Sequence, residues 1–426
     1  MPAIITRGAM SAQGFGFGAI TSLGGPYWIA TLINSTPDSI SPRRGTVNAV
    51  GSSYVIGFTY NASSAECGEL ISYNNLGAIQ FQKIIEYSGG VVNFDPQGPA
   101  VLDSSGNIYI TGGSGQIIKF DSSGAIQFIT ALDIAAFYGI SLDSSNNIYA
   151  AGGDGSTGWE IAKFSSSGTI SWQYNFTTSS YNYARALVLD SSGNMYATGE
   201  SANGTGTAIQ TVKFDSSGTI QWQRKLSYTT AYYDYGGGVA VDSSGNVYVC
   251  GTNTVYTGVM ILKYNSSGTL QWQRRVTTIP CSFSDMGICL DSSGNVYVCA
   301  NGAILKYNSS GSIQWQRSLT ESSGVAIYFR SIYCVGSSLY LNASLQSTPS
   351  GKYQWLSLKV PTDGSKTGTY SVGSYSFTYA ASSYTDAAGG YTGQTTFFSN
   401  TVTSYTSTPN VYTATNTTYT TAVTTI

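Results

Sequence analysis

Between Gly238 and Arg274 the chain reads GVAVDSSGNVYVCGTNTVYTGVMILKYNSSGTLQWQR, four apolar runs separated by short polar stretches. Within the runs, apolar and polar positions alternate with period two, as in Asn246-Val247-Tyr248-Val249-Cys250. Such alternation, rich in Val, Ile, Tyr and Trp, is the pattern of strands buried on one or both faces, and helical periodicity is missing throughout. The turns carry a mechanism of their own. In Asp242-Ser243-Ser244-Gly245 the carboxylate can accept backbone N–H groups two residues on, while the glycine supplies the left-handed residue that closes a short hairpin. Asn265-Ser266-Ser267-Gly268 does the same for the next hairpin, so one unit is a four-stranded antiparallel sheet.

The unit recurs. First-turn aspartates fall at Asp103, Asp143, Asp190, Asp242 and Asp291, a period of about 40 to 50 residues, which belongs to propeller blades rather than helical solenoids. Two degenerate copies, at Val50-Gly51-Ser52-Ser53 and Val335-Gly336-Ser337-Ser338, keep the flanking alternation with a shorter turn. Seven units predict an all-β fold, a seven-bladed β-propeller of four-stranded antiparallel blades. Eight blades is the alternative, if Thr367 to Val372 and the Trp28 strand each belong to a separate blade. Tyr27-Trp28-Ile29-Ala30-Thr31-Leu32 matches Gln221-Trp222-Gln223-Arg224-Lys225-Leu226 but has no preceding strands of its own. It is expected to complete the last blade, joining the chain ends and removing an open sheet edge. The chain then divides into a leader (1–25), the propeller closed by the N-terminal strand (26–364) and a Thr/Tyr-rich C-terminal β segment (365–426).

Composition narrows the chemistry. Only 9% of residues are charged and the formal net charge is −2, too little to neutralise many phosphates, which argues against nucleic acid as a partner. The chain has no histidine, so Ser-His-Asp and Cys-His nucleophile chemistry and His-ligated zinc are ruled out together. The six cysteines show no CxxC pair and no zinc-type spacing, and Cys250 and Cys299, at one place in consecutive units, read as small buried side chains. The D-S-S-G-N turns lack the alternating oxygen ligands and distal Glu of a calcium loop. No catalytic residue, cofactor or metal is therefore expected. A carboxylate-based glycosidase or lyase needs two acidic residues facing one cleft, and the aspartates are mostly assigned to turns.

Outside the repeats, Met1 to Gly25 lacks the apolar core of roughly 7 to 15 residues of a secretory signal. No run reaches the roughly 18 apolar residues of a membrane helix, so membrane insertion is not expected. Phe15 and Phe17, set between glycines, suit either a disordered leader or a docking peptide that orders on a partner. The segment after Gly364, nearly devoid of charge and β-prone, is expected to pair with the propeller or another subunit. A Lys precedes an aromatic or Val at Lys119, Lys163, Lys213, Lys263, Lys306 and Lys359; at one offset on the third strand each time, it is expected to lay its stem over an adjacent ring rather than form a basic ligand ring. The loop bearing Tyr228, Tyr232, Tyr233 and Tyr235 is a candidate ligand loop, since rigid aromatics with polar tips suit sugar or protein contacts.

LDSSGNIYITG and IKFDSSGAIQF resemble SBBP or NHL-like β-propeller repeats over roughly three quarters of the chain. The second turn, as in Asp215-Ser216-Ser217-Gly218-Thr219-Ile220-Gln221-Trp222, is similar to the Asp-box of sialidases, with one residue of difference on each side of the glycine. Streptogramin lyases, propeller enzymes of related shape, use a catalytic histidine that is missing here. The opening Gly8-Ala9-Met10-Ser11-Ala12-Gln13-Gly14-Phe15-Gly16-Phe17 resembles leaders of tailed-phage structural proteins, tail-fibre-like ones included. That resemblance implies a non-enzymatic structural and interaction protein of a bacteriophage virion, oligomeric within the particle. Its partners would be other virion proteins and a host surface glycan or receptor, with Arg7, Met10, Phe15 and Phe17 as attachment residues. The alternative is a secreted bacterial carbohydrate-binding β-propeller protein.

Overall fold

The alternating runs form strands throughout the structure, a computed structural model that describes residues 15–401 apart from 17–19, 23–26, 35–40, 61–65, 86–94, 133–134, 154, 156–157, 178–181, 204, 228–232, 254–257, 278, 280–285, 347–352, 373, 389–391 and 395–398. Three N-terminal strands come first: β1 (Phe15–Gly16), β2 (Ile20–Ser22) and β3 (Trp28–Asn34). Blade 1 holds β4 (Ser41–Val47), β5 (Ser53–Tyr60), β6 (Glu66–Tyr73) and β7 (Ile79–Ile85). Blade 2 holds β8 (Val101–Leu102), β9 (Ile108–Gly112), β10 (Gln116–Phe120) and β11 (Ile126–Ala131). Blade 3 holds β12 (Phe137–Leu142), β13 (Ile148–Gly153), β14 (Trp159–Phe164) and β15 (Ile170–Thr177). Blade 4 holds β16 (Tyr183–Leu189), β17 (Met195–Asn203), β18 (Gly206–Phe214) and β19 (Ile220–Ser227). Blade 5 holds β20 (Asp234–Val241), β21 (Val247–Asn253), β22 (Gly258–Tyr264) and β23 (Leu270–Thr277). Blade 6 holds β24 (Met286–Leu290), β25 (Val296–Ala300), β26 (Ala303–Tyr307) and β27 (Ile313–Glu321). Blade 7 takes β28 (Ala326–Val335), β29 (Ser338–Gln346) and β30 (Tyr353–Pro361) from the end of the repeats, and β3 pairs antiparallel with β30 as its outermost strand. The fold is thus a seven-bladed β-propeller, closed by the Trp28 strand as the sequence predicts.

The first turns of blades 2 to 6 are each built on an aspartate, and that of blade 1 on Asn48. Asp190 Oδ1 accepts the backbone N–H groups of Ser192 and Asn194, both at 2.9 Å, while Oδ2 accepts Asn194 Nδ2 at 2.8 Å and the Tyr196 hydroxyl at 2.9 Å. Asp103, Asp143, Asp242 and Asp291 make the same four bonds. Burial alone would raise the Asp190 pKa, but the bonds from Asn194 and Tyr196 outweigh it and hold the carboxyl below its ordinary value. The lysine row lies on the blade surfaces, with Lys119, Lys163, Lys213 and Lys263 each 4.8–5.2 Å from the ring centre of a second-strand tyrosine.

A second contact ties each blade to the next. The outermost strand carries an aromatic that covers the third-to-fourth-strand turn of the following blade, and the glycine of that turn leaves room for the ring. A Cβ on Gly268 would stand 2.7 Å from the Trp222 ring, and one on Gly311 2.7 Å from Trp272. The indole N–H groups of Trp222, Trp272 and Trp315 donate to Ser266 O, Ser309 O and Thr362 O at 3.0, 3.1 and 3.2 Å. Two residues on, Arg274 and Arg317 donate Nε to Gly311 O and Gly364 O at 2.6 and 2.7 Å. Trp28 closes the ring in the same way, donating to Asn75 O at 3.2 Å and lying against Gly77 of blade 1.

The C-terminal segment pairs with the propeller. β31 (Gly368–Val372) and β32 (Tyr375–Ala381) form a hairpin whose second strand extends blade 6 beyond β27. Val372, Phe377 and Tyr379 of that hairpin are buried, so it adds to the apolar core. β33 (Thr385–Ala388), β34 (Thr392–Gln394) and β35 (Ser399–Thr401) then add antiparallel fifth strands to blades 5, 4 and 3 in turn. The segment therefore runs backwards around the rim, and the eight-blade alternative fails because Gly368–Val372 belongs to the sheet of blade 6.

Two variants separate the components of the blade-to-blade contact. Gly324 and Gly268 have φ of +80° and +77°, yet a Cβ on Gly324 would meet nothing within 4 Å. Gly324→Ala should cost about 1 kcal/mol for its backbone alone, whereas Gly268→Ala adds a steric clash with Trp222 and should cost at least about 2 kcal/mol. Equal urea midpoints for the two would show that the ring does not bear on the turn. A pH prediction concerns Glu69, buried in β6, whose Oε1 accepts from Gln82 Nε2. Burial pushes its pKa up to about 7 from 4.5. The folded state disfavours the charged form, so stability attributable to Glu69 falls as pH rises from the unfolded value through about 7 and then levels off. Glu69→Gln should match wild type at pH 4 and exceed it at pH 8, by at most about 3 kcal/mol. A gain independent of pH would refute this origin.

Candidate functional site

The innermost strands line a central cavity of about 450 Å3, bordered by Arg44, Leu187, Val239, Ile288, Arg330 and Ile332 among others. Because each of these strands runs toward its first turn, all the aspartate turns gather at one end and the strand starts at the other. The strand starts carry the unusual residues. Register shifts between Pro42 and Arg44, Phe137 and Gly139, Ala184 and Ala186, Gly236 and Gly238, and Phe329 and Ser331 place one extra residue in each strand. The extra residues are Arg43, Tyr138, Arg185, Gly237 and Arg330. A bulge re-aims the side chain it carries and interrupts pairing locally, so five blades present a side chain or a bare backbone at one mouth of the channel.

The charged groups there act on one another. Arg44, next to the bulge, reaches across from blade 1 to donate to Arg185 O in blade 4 at 3.3 Å and Gly237 O in blade 5 at 3.1 Å. Burial lowers its pKa, an effect that the neighbouring Arg185 reinforces and Tyr333 opposes. Burial also brings Arg330 down to about 10, with Arg43 and Arg44 adding to the shift. Arg185 pairs with Glu200 at 2.6 Å and lies over the rings of Tyr138 and Tyr183 at 4.7 and 4.1 Å. Arg43 lies 5.1 Å from the Phe58 ring centre and 3.6 Å from Asp95, whose pKa burial raises against the pull of Arg43. Of the four guanidinium groups here, Arg43 and Arg185 lie beside Asp95 and Glu200, and a third carboxylate at this end, Asp234 at the start of β20, accepts from Asn253 Nδ2, so the guanidinium groups outnumber these three carboxylates. No group of three or more His, Cys, Asp or Glu able to hold a metal occurs among the described residues.

The candidate tyrosines lie partly at this end. Tyr233 and Tyr235 stack at the start of β20, with ring centres 6.4 Å apart and planes 12° from parallel. Tyr233 also bridges Thr207 of blade 4 through its backbone, and Thr207 Oγ1 donates to Asp234 O at 2.9 Å. Tyr228 and Tyr232 lie outside the described residues, as do Arg7, Met10 and Phe17 of the leader. Phe15 lies in β1, whose backbone pairs with β3 on the rim of blade 7. The arginine group was not legible from the motifs, although a signal existed: Arg43, Tyr138, Arg185 and Gly237 each stand five residues before the first residue of a first turn, at Asn48, Asp143, Asp190 and Asp242.

The SBBP β-propeller repeat family model matches residues 221–253, the stretch from the Trp222 contact through the Asp242 turn. No curated protein matches the chain. Among solved structures, the crystal structure of BamB from Moraxella catarrhalis is similar, with a TM-score of 0.45 and 16% identity over 84% of this chain and 95% of that one.

The Arg185–Glu200 pair gives a direct test of how this mouth is held. Removing one partner of a buried ion pair leaves the other uncompensated, at a cost of about 3–5 kcal/mol. Arg185→Met should approach that loss, and adding Glu200→Gln should restore most of it. A double variant as unstable as Arg185→Met would mean that the stacking on Tyr138 and Tyr183, and not charge compensation, is what Arg185 supplies.

Proposed function

We propose that this protein is a non-enzymatic structural and interaction component of a tailed-bacteriophage virion, and that the arginine-bearing mouth of its channel receives an acidic group of a host-surface glycan. The observation that carries the binding half is the convergence of Arg43, Arg185 and Arg330, from blades 1, 4 and 7, on bulge positions at one mouth. Guanidinium groups recognise carboxylates through paired N–H donors, and excess positive charge in a concave, partly buried site raises the local concentration of anions. Tyr138, Tyr183, Tyr233 and Tyr235 add flat rings with polar edges beside them. The virion half is supported by the leader's resemblance to phage structural proteins. With the C-terminal strands laid on the propeller's own rim, attachment to the particle falls to the leader.

The two halves are tested separately. Mass spectrometry of purified particles should find the chain, and deletion of residues 1–14, which leaves every described strand intact, should abolish its incorporation. Purified protein should retain an acidic polysaccharide more strongly than its carboxyl-reduced form, with binding weakened by salt and lowered about tenfold or more by Arg330→Ala. Binding that ignores the carboxylate would remove the mouth from the reading. Glycan binding by a chain that particles lack would favour the secreted carbohydrate-binding alternative.

A further inference from the structure

From Phe377 the C-terminal segment contains a seven-residue repeat of an aromatic followed by Thr or Ser: Phe377-Thr378, Tyr384-Thr385, Tyr391-Thr392, Phe398-Ser399, Tyr405-Thr406, Tyr412-Thr413 and Tyr419-Thr420, with Tyr370-Ser371 preceding it at the same spacing. The first four hydroxyl residues occupy one position in the rim. Thr378 pairs with Thr320 of blade 6, Thr385 with Thr277 of blade 5, Thr392 with Ser227 of blade 4 and Ser399 with Thr177 of blade 3. Each partner stands five residues after the tryptophan of its outermost strand, at Trp315, Trp272, Trp222 and Trp172. Seven residues of tail thus advance the chain by one blade, always in the same register. The span suits the step, since seven extended residues reach at most about 25 Å.

Two blades remain in the direction of travel. Among the described residues the sheets of blades 2 and 1 end at β11 and β7, without a fifth strand. On blade 7 the matching position, Ile33, five residues after Trp28, is already paired with Gly16 of β1. Six blades therefore call for a tail strand; counted from Thr378 the repeat supplies seven hydroxyl positions, so Thr406 and Thr413 fall to blades 2 and 1 and Thr420 lies beyond them. We propose that the chain's own residues 406–408 and 413–415 add fifth strands to blades 2 and 1, with Thr408 opposite Ala131 of β11 and Thr415 opposite Ile84 of β7, the positions three residues after Phe128 and Phe81, as Thr401 is opposite Asn175, three residues after Trp172. The sequence fits this placement. No charged residue follows Asp386, Thr and Tyr suit a pleated edge, and Pro409, which has no N–H to donate, falls just after a three-residue pairing site of the length seen on blades 4 and 3.

Paired cysteines test the register, because directly opposed residues of antiparallel strands lie within disulfide reach. Mild oxidation of full-length Ala131→Cys/Thr408→Cys and Ile84→Cys/Thr415→Cys, each mixed with isotope-labelled chain, should give the engineered link within single chains. The out-of-register pair Ala131→Cys/Thr415→Cys should not link. Hydrogen exchange gives a second readout on chains that keep every described strand: ending the chain at Ser404 should speed exchange at least tenfold at edge amides of both β11 and β7, and ending it at Val411 should do so in β7 alone. Links between labelled and unlabelled chains would overturn the proposal in favour of a second copy's tail, and equal linking of all three pairs, or unchanged exchange in both truncations, would also overturn it.

Discussion

The contact on which the structure depends is the aromatic of one outermost strand lying against the glycine turn of the next blade. A blade has a twisted sheet whose two faces must both be covered, and only its neighbours can do so. The tryptophan fixes how far each sheet is rotated from the last, because its ring rests on a turn that has no Cβ and its indole N–H is held by a carbonyl of that turn. Repeated around the ring, one local fit sets a global angle. The last fit is made by Trp28, from the opposite end of the chain, so closure uses the same chemistry as the interfaces built on Trp222, Trp272 and Trp315.

With the blades locked, the remaining liability is the rim, where an outermost strand would present unpaired N–H and C=O groups to any passing strand. Here the chain covers its own rim, with β1 and β2 on blade 7 and the strands from β32 to β35 on blades 6 to 3. Side chains anchor part of this wrap: Tyr384 exchanges two hydrogen bonds with the Gln316 side chain, and the Tyr307 hydroxyl donates to Asp386 at 3.1 Å. These bonds run to blade 6, while Asp386 lies in β33, whose backbone pairs with blade 5, so the wrap acts across a blade boundary as well as along an edge.

What could be read from the sequence was what is local. Asp-Ser-Ser-Gly-Asn closes its hairpin with bonds made inside seven residues, so the turns, the strand order and the count of seven follow from the residues themselves. Trp28 was placed by its offset match to Trp222, and the register, with Trp28 opposite Lys359 as Trp222 is opposite Lys213, has the same origin. The channel mouth was hidden because its parts are local to nothing: Arg43, Arg185 and Arg330 come together only when blades 1, 4 and 7 close a ring, and a bulge is a mismatch between two strands rather than a motif in one. The tail was read as β-prone and in need of a partner. Its partner strands could not be assigned, because three-residue strands carry no alternation of their own and the seven-residue step has meaning only against a rim whose spacing the sequence does not state.

With so few charges, the chain concentrates them where the repeat leaves positions free to vary. Most aspartates are consumed by turns and most lysines lie over tyrosine rings, so neither group is available to build a charged surface. The arginines at the starts of innermost strands have partners that differ from blade to blade, Asp95 and Phe58 for Arg43, Glu200 and Tyr138 for Arg185, Ser344 and Tyr328 for Arg330. Placed on a bulge, each is lifted out of the ladder without disturbing the contacts that hold the blades together, which lie at the outer strands. The propeller can therefore vary its mouth residues blade by blade, arginine in three, tyrosine in another and glycine in a fifth, while the aromatic-on-glycine contact is repeated. The irregular mouth residues and the contacts that hold the blades together lie at opposite ends of the blade radius, and that separation lets a regular scaffold carry an irregular mouth.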